Sequence, residues 1–250
     1  MFTKVKTPAE IENMRESGRM LAAVLRMLDQ QVGPGQTTLE ADLLAQKELK
    51  KLGGQPAFLD YQGFSGATCI SVNEEIVHGV PGPKKLNSGD LVSFDFGVNY
   101  RGMITDSAFT KLLDAKPSAD QKRLLTGTEA ALTAGISVVK GGVKVGDISA
   151  AIEAELREHK LGILRQFVGH GVGHHVHEEP NIPNYGPPDT GATLLAGMTV
   201  ALEPMAMLGK EAMVIDDDGW TVVTADHSLS AHFEHTILIT KDGAEVLTAR

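Results

Sequence analysis

Residues 91–110 read LVSFDFGVNYRGMITDSAFT, and the fold can be read outward from their alternation. Val92, Phe94, Phe96 and Val98 point to one side of an extended chain, and Ser93, Asp95 and Gly97 point to the other. Tyr100-Arg101-Gly102 marks a turn, and Asp106 lies eleven residues after Asp95. That spacing predicts a hairpin with both carboxylates on one face. Asp95, flanked by aromatics, reads as buried, where an unpaired carboxylate is costly or takes up a proton.

Two further acids share this setting: Glu203 in VALEPM (200–205) and Glu234 in AHFEHTILI (231–239). Any one of them could belong to a structural ion pair, and Asp106 could be a solvated turn residue. Four acids in four strand-like apolar runs, with no matching Lys or Arg inside them, call for another counter-charge. Two divalent metal ions would balance four carboxylates. The segment GHGVGHHVHEEP (169–180) adds His170, His174, His175 and His177, with His170 held between two glycines. A lone histidine is more often structural, and an exposed histidine tract can bind metal adventitiously. His177-Glu178-Glu179-Pro180 does not make the HExxH of helical zinc peptidases, and Pro180 blocks a helix there. Carboxylates plus one imidazole form a hard, oxygen-rich donor set that suits Mn, Fe(II), Co or Zn. Paired metals of this kind lower the pKa of a water to make a nucleophile. The residues alone point to a dinuclear metallohydrolase and leave its substrate open.

The rest of the chain frames these strands with helices. Thr7-Pro8 opens a first helix in which Ile11, Met14, Gly18, Leu21, Ala22 and Leu25 share a face to about residue 31. Thr38 is expected to cap a second helix carrying Leu39, Leu43, Leu44 and Leu49 up to Gly53-Gly54. Strand-like runs fill 57–109, after which the order recurs. A helix over 119–137 is followed by one capped by Asp147 and running to about Lys160, then by strands from Leu164 onward. Gly35-Gln36-Thr37-Thr38 aligns loosely with Gly142-Val143-Lys144-Val145, 107 residues later. This suggests two pseudo-twofold halves whose sheets meet at a site.

Composition narrows the class. The 250 residues carry 23 Lys+Arg against 32 Asp+Glu, a formal charge of −9, which argues against bulk electrostatic binding of nucleic acid. Cys69 is the only cysteine, so no intramolecular disulfide and no multi-thiolate zinc site can form. Neither a signal-peptide run nor an apolar stretch of membrane-spanning length is present. A soluble, cytoplasmic protein is expected, with no DNA and no membrane among its partners.

Taken together, CISVNEEIVHGVPG (69–82), VSFDFGVNYRGMITDSAFT (92–110), FVGHGVGHHVHEEPNIPNYG (167–186), GMTVALEPM (197–205) and DGWTVVTADHSLSAHFEHTILIT (218–240) resemble the type I methionine aminopeptidases. The resemblance spans essentially the whole chain. It implies the α/β (α+β) pita-bread fold: two pseudo-symmetric halves, about 1–110 and 111–250, with central antiparallel sheets flanked by helices, in a single catalytic domain over 1–250. It also implies removal of N-terminal methionine from nascent proteins when the second residue is small. Two divalent ions (Co, Mn, Fe(II) or Zn) would be the cofactors, with Asp95, Asp106, His170, Glu203 and Glu234 as ligands. Asp106 and Glu234 would bridge the ions, and Glu203 would also shuttle the proton. His78 and His177 would contact substrate and oxyanion without binding metal.

For the methionine pocket the family pattern points to Phe58, Tyr61, Phe64, Cys69, Val176 and Trp220. Here the chain departs from many bacterial relatives, which carry cysteine at Phe58, tyrosine at Phe64, an aromatic at Val176 and arginine at His174. A monomer acting on nascent N-termini is expected, with the ribosome as a candidate partner. The rival readings are a proline-directed aminopeptidase, which usually carries an extra N-terminal domain, and a non-catalytic binding protein of the same fold.

Overall fold

The computed structural model describes residues 1–250. Four helices, α1 (Pro8–Gln31), α2 (Thr38–Leu52), α3 (Ala119–Ser137) and α4 (Val145–Glu158), cover antiparallel sheets. In α1, Thr7 accepts a hydrogen bond from the Glu10 N–H (3.3 Å) while the Glu10 carboxylate accepts from the Thr7 N–H (2.7 Å). This reciprocal cap, with Pro8 in the first turn, fixes where the helix begins. Met14, Leu21, Leu25 and Leu28 then bury one face, and the helix lies on the strands Leu91–Tyr100 and Met103–Leu112. No helix is long and apolar enough to cross a membrane.

Two cap assignments are corrected. Thr37, not Thr38, caps α2, because only Thr37 has a glutamate three residues on; it accepts from the Glu40 N–H at 3.1 Å. Thr38 is the first helical residue and its hydroxyl donates to the Gly82 carbonyl (3.1 Å). Leu39 and Leu43 consequently face solvent, 45% and 53% exposed. The inward side of α2 instead carries Asp42, whose carboxylate accepts from the N–H groups of Ala67 and Thr68 (3.1 and 2.8 Å). In α4, Asp147 sits inside the first turn, and its carboxylate accepts from the Lys144 N–H at 3.2 Å.

The hairpin forms as its alternation predicts. Leu91–Tyr100 pairs with Met103–Leu112 in continuous register from Leu91↔Leu112 to Tyr100↔Met103. Arg101 and Gly102 make the two-residue turn, both at positive φ (51° and 81°). Thr68–Val72 and Gln55–Pro56 pair along the other edge of Leu91–Tyr100. A five-stranded sheet runs in the order Ala244–Val246, His235–Ile239, Thr199–Leu202, Gly169–Gly171, Glu178–Ile182.

The turns before α2 and α4 match in detail. Gly35 and Gly142 both have φ of 93°. Their N–H groups donate to Leu86 O and Leu194 O, each at 2.8 Å, while Leu86 N–H and Leu194 N–H return bonds to Gln36 O and Val143 O. Strand Met103–Leu112 is then stitched to the chain around Glu234. Ala108 and Glu234 exchange two main-chain hydrogen bonds (2.9 and 3.3 Å), and Thr236 Oγ1 bonds both N–H and C=O of Asp106 (2.8 Å each). This seam is where the predicted acids converge.

Candidate active site

Each acid reaches the seam for a local reason. Asp106 stands opposite Gly97 and Asp95 stands opposite Ala108, so the hairpin pleat puts both carboxylates on one face, diagonally related. Gly97 has no side chain to compete with them; a Cβ there would lie 2.6 Å from the Phe58 ring. Glu203 follows strand Thr199–Leu202, which stops at Pro204, a residue with no N–H to continue the ladder. Glu234 lies between the strands Ser230–His232 and His235–Ile239. His170 is the middle of Gly169–Gly171, opposite Ala201.

The five side chains converge. His170 Nε2 is 3.4 Å from Glu203 Oε1 and 4.0 Å from Asp106 Oδ2. Donor atoms of Asp106, His170 and Glu234 all lie within 4.8 Å of one another. Asp95 lines the same cavity. The Gly171 carbonyl accepts from His170 Nδ1 (2.9 Å), which leaves the Nε2 lone pair turned to the carboxylates.

Electrostatically the cluster is incomplete as protein alone. Burial pushes the Asp95 carboxyl up to about 7. Burial, together with neighbouring carboxylate charge, holds Asp106, Glu203 and Glu234 well above the usual carboxylate range. Burial lowers His170 to about 3, so its imidazole is neutral. Asp95 Oδ1, Asp106 Oδ1 and Glu234 Oε1 are buried with no hydrogen-bond partner. Carboxyl oxygens without partners, whose ionisation burial opposes, stand beside a neutral imidazole lone pair, a donor set that fits a divalent cation.

Above the acids opens a cavity of about 320 Å³. His78, at a positive φ of 61°, packs edge-on to Phe167 at 5.2 Å. Behind it, a Cβ on Gly79 would collide with the Ile70 carbonyl. His177 stacks edge-on to His170 (4.5 Å between centroids), and its Nδ1 is 3.1 Å from Tyr61 Oη. Phe58, Tyr61, Phe64, Cys69 and Trp220 form the apolar side of the cavity, with Trp220 edge-on to Phe64 at 5.3 Å. Val176 packs in the cluster behind Phe58, Phe64 and Cys69 and does not line the cavity.

The remaining histidines of the 170–177 tract serve the loop. His174 bonds Glu10 Oε1 (2.8 Å), and the N–H groups of His174 and His175 donate to Glu178 Oε1 (2.7 and 3.0 Å). Glu178 is buried and paired with Lys6, Nζ to Oε2 at 3.3 Å. Sequence reasoning missed Gln62, Val77, Gln166, Phe167 and Val168 on the cavity wall, and His232 beside the acids. Gln166 to Val168 precede GHG in what reads as a continuous strand; only residues 169–171 are extended and paired.

Comparisons with known proteins identify the family. The family model for metallopeptidase family M24 matches residues 12–241. Methionine aminopeptidase 1 of Bacillus subtilis is 44% identical over 243 residues, covering 97% of this chain and 98% of the relative. Methionine aminopeptidase of Aquifex aeolicus is 42% identical, covering 99% of each. The crystal structure of methionine aminopeptidase from Thermotoga maritima superposes with a TM-score of 0.97 at 44% identity over the whole of both chains. Prolidase from Pyrococcus furiosus, at 23% identity and a TM-score of 0.81, shares the pita-bread fold, and this chain spans 65% of it. With a full-length sequence match, a shared architecture and a buried carboxylate cluster, the chain belongs to metallopeptidase family M24, among its methionine aminopeptidases.

Proposed function

We infer that this protein is a metal-dependent methionine aminopeptidase that removes N-terminal methionine from nascent chains in the cytoplasm and favours a small second residue. The observation that carries this reading is the convergence of Asp95, Asp106, His170, Glu203 and Glu234 on one buried locus with three orphaned carboxylate oxygens. The same locus forms the floor of a cavity whose wall is aromatic and apolar. A non-catalytic protein of this fold would have no use for such a set.

These five residues would hold two divalent ions, since four carboxylates need four positive charges. Bound ions would supply the Lewis acidity and the activated water of a hydrolase. The chain's own residues do the rest. Glu203 is placed to accept a proton and deliver it to the leaving amine. Tyr61 can donate to His177 Nδ1, which selects the ring tautomer with Nε2–H free to bond the oxyanion. His78, also on the cavity wall, holds the substrate main chain. Phe58, Phe64, Cys69 and Trp220 surround the methionine side chain, an unbranched thioether that packs well against ring edges.

Turnover of Met-Ala-Ser, measured on metal-stripped protein and again as each divalent metal is added back, tests the reading. Metal-dependent release of methionine, with two ions bound per chain, is expected. A metal-loaded protein that cleaves only before proline, or cleaves nothing, would overturn it.

A further inference from the structure

We propose that His232 is a positioning residue whose imidazole N–H holds the paired carboxylates of Glu203 and Glu234 in the orientation that receives metal. The proposal rests on the reading of those two residues as ligands. His232 ends the strand Ser230–His232 and pairs with Met205, two residues past Glu203. Its backbone is pinned from both sides by Thr110: the His232 N–H donates to Thr110 Oγ1 (2.8 Å) and its carbonyl accepts from the same hydroxyl (2.9 Å). The point from which the ring projects is therefore fixed. His232 is only 1% exposed, yet neither ring nitrogen has a hydrogen-bond partner.

The nearest carboxyl oxygens to Nε2 are Glu234 Oε2 at 3.7 Å and Glu203 Oε2 at 3.9 Å. Both distances are too long for a bond, and both oxygens are within reach of a small side-chain rotation. A leucine would fill this space without burying two unpartnered nitrogens, so stability of the metal-free chain does not account for the histidine. Each glutamate that gives one oxygen to a cation keeps a second oxygen in need of a donor. A neutral imidazole carries one N–H, and this one stands between the two carboxylates. Outer donors of this kind orient ligands and typically change metal affinity or activity by about 10–100-fold.

The test compares His232→Leu, which removes the donor, with His232→Gln, which keeps one. Thermal midpoints of the metal-free proteins and Co(II) titrations followed by calorimetry and by the visible spectrum are measured on each. The Leu variant should melt at or above the wild-type temperature without metal, yet bind Co(II) about 10–100-fold more weakly with an altered spectrum; the Gln variant should bind within a few-fold of wild type. A Leu variant with wild-type affinity, a Leu variant that melts lower or fails to fold without metal, or a Gln variant as weak as Leu would overturn the role. So would a spin-echo measurement on Mn(II)-loaded protein that finds two coordinated imidazoles, since His232 would then be a ligand. A wild-type protein that binds no Co(II) would overturn instead the functional reading beneath it.

Discussion

Tyr61 Oη lies 3.1 Å from Nδ1 of His177, and the His177 ring sits edge-on to that of the proposed ligand His170 at 4.5 Å between centroids. A histidine that is held on one nitrogen by a phenol and leans on a ligand ring is placed to serve the reaction without binding metal. His177→Ala should keep its two ions and lose a factor of ~10²–10³ in kcat. Tyr61→Phe should lose about fivefold, the scale of one neutral hydrogen bond. Metal analysis beside steady-state kinetics checks both; metal depletion in His177→Ala would make it a ligand.

Asp106 offers the other limit. It stands opposite Gly97, with Thr236 holding both its main-chain groups. Asp106→Asn should therefore preserve the hairpin while removing a charge on which both proposed ions would depend. The expected outcome is loss of bound metal together with activity. Retention of two ions, read by elemental analysis, would show that Asp106 does not bridge.

The cluster also predicts an unusual pH dependence for the metal-free protein. The carboxyls of Asp95, Asp106, Glu203 and Glu234 are raised by burial, so the folded chain binds their protons more tightly than the unfolded one does. Stability then falls as pH rises above the ordinary carboxyl value near ~4. The buried histidines, His170 and His232 lowered to about 3 and His78 to about 4, act in the opposite sense. Their stabilising effect is complete once pH passes the unfolded value of ~6.5. Above the histidines' unfolded value the histidine effect no longer changes with pH, so what change remains comes from the raised carboxyls and runs downward. Melting temperature in chelator should fall, not rise, as pH is raised beyond ~6.5, and should not fall with metal bound. A chelated protein whose melting temperature holds or rises over that range would refute this account.

Lys6 and Glu178 form an ion pair with side chains 0% and 3% exposed. Breaking such a pair from one side leaves a buried charge, and Lys6→Met should cost about 3 kcal/mol in stability, measured by denaturant unfolding. Because Glu178 also accepts from the His174 and His175 N–H groups, the variant should loosen the loop that carries His177. Activity at a temperature where the variant remains folded should fall in kcat more than in KM.

Cys69 lines the cavity but is 5% exposed, and burial together with the charges of Asp95 and Asp106 holds its thiol well above its ordinary value. Thiol reagents should label it only after unfolding. Rapid labelling of the native protein would mean that the pocket opens more widely than this packing allows.

Where local chemistry decides, the sequence was readable. Alternation around Asp95 gave the hairpin and the shared face of both aspartates, and Thr7-Pro8 gave the start of α1. It was misread where a tertiary contact outbid a local pattern. Leu39 and Leu43 keep helical spacing, yet α2 turns Asp42 inward because that carboxylate binds the Ala67 and Thr68 N–H groups. His232 does not stand out in the sequence because it alternates like any inward strand residue. Its orphaned nitrogens become visible only when Glu203, almost thirty residues earlier in the chain, is placed beside it. Gln166 and Phe167 reach the cavity on an irregular segment that no periodicity describes.

The hydrogen-bonded exchange between Ala108 and Glu234 has a consequence for the protein's lifetime. Asp106 and Glu234 approach the centre from opposite sides of that seam, so an opening along the seam also separates donors of the same cluster. Occupancy therefore resists cleavage by mass action, with each tenfold excess of free metal adding ~1.4 kcal/mol against opening. Scarcity would shorten the survival of the polypeptide as well as idle it, and the amount of intact protein would follow the supply of the ion.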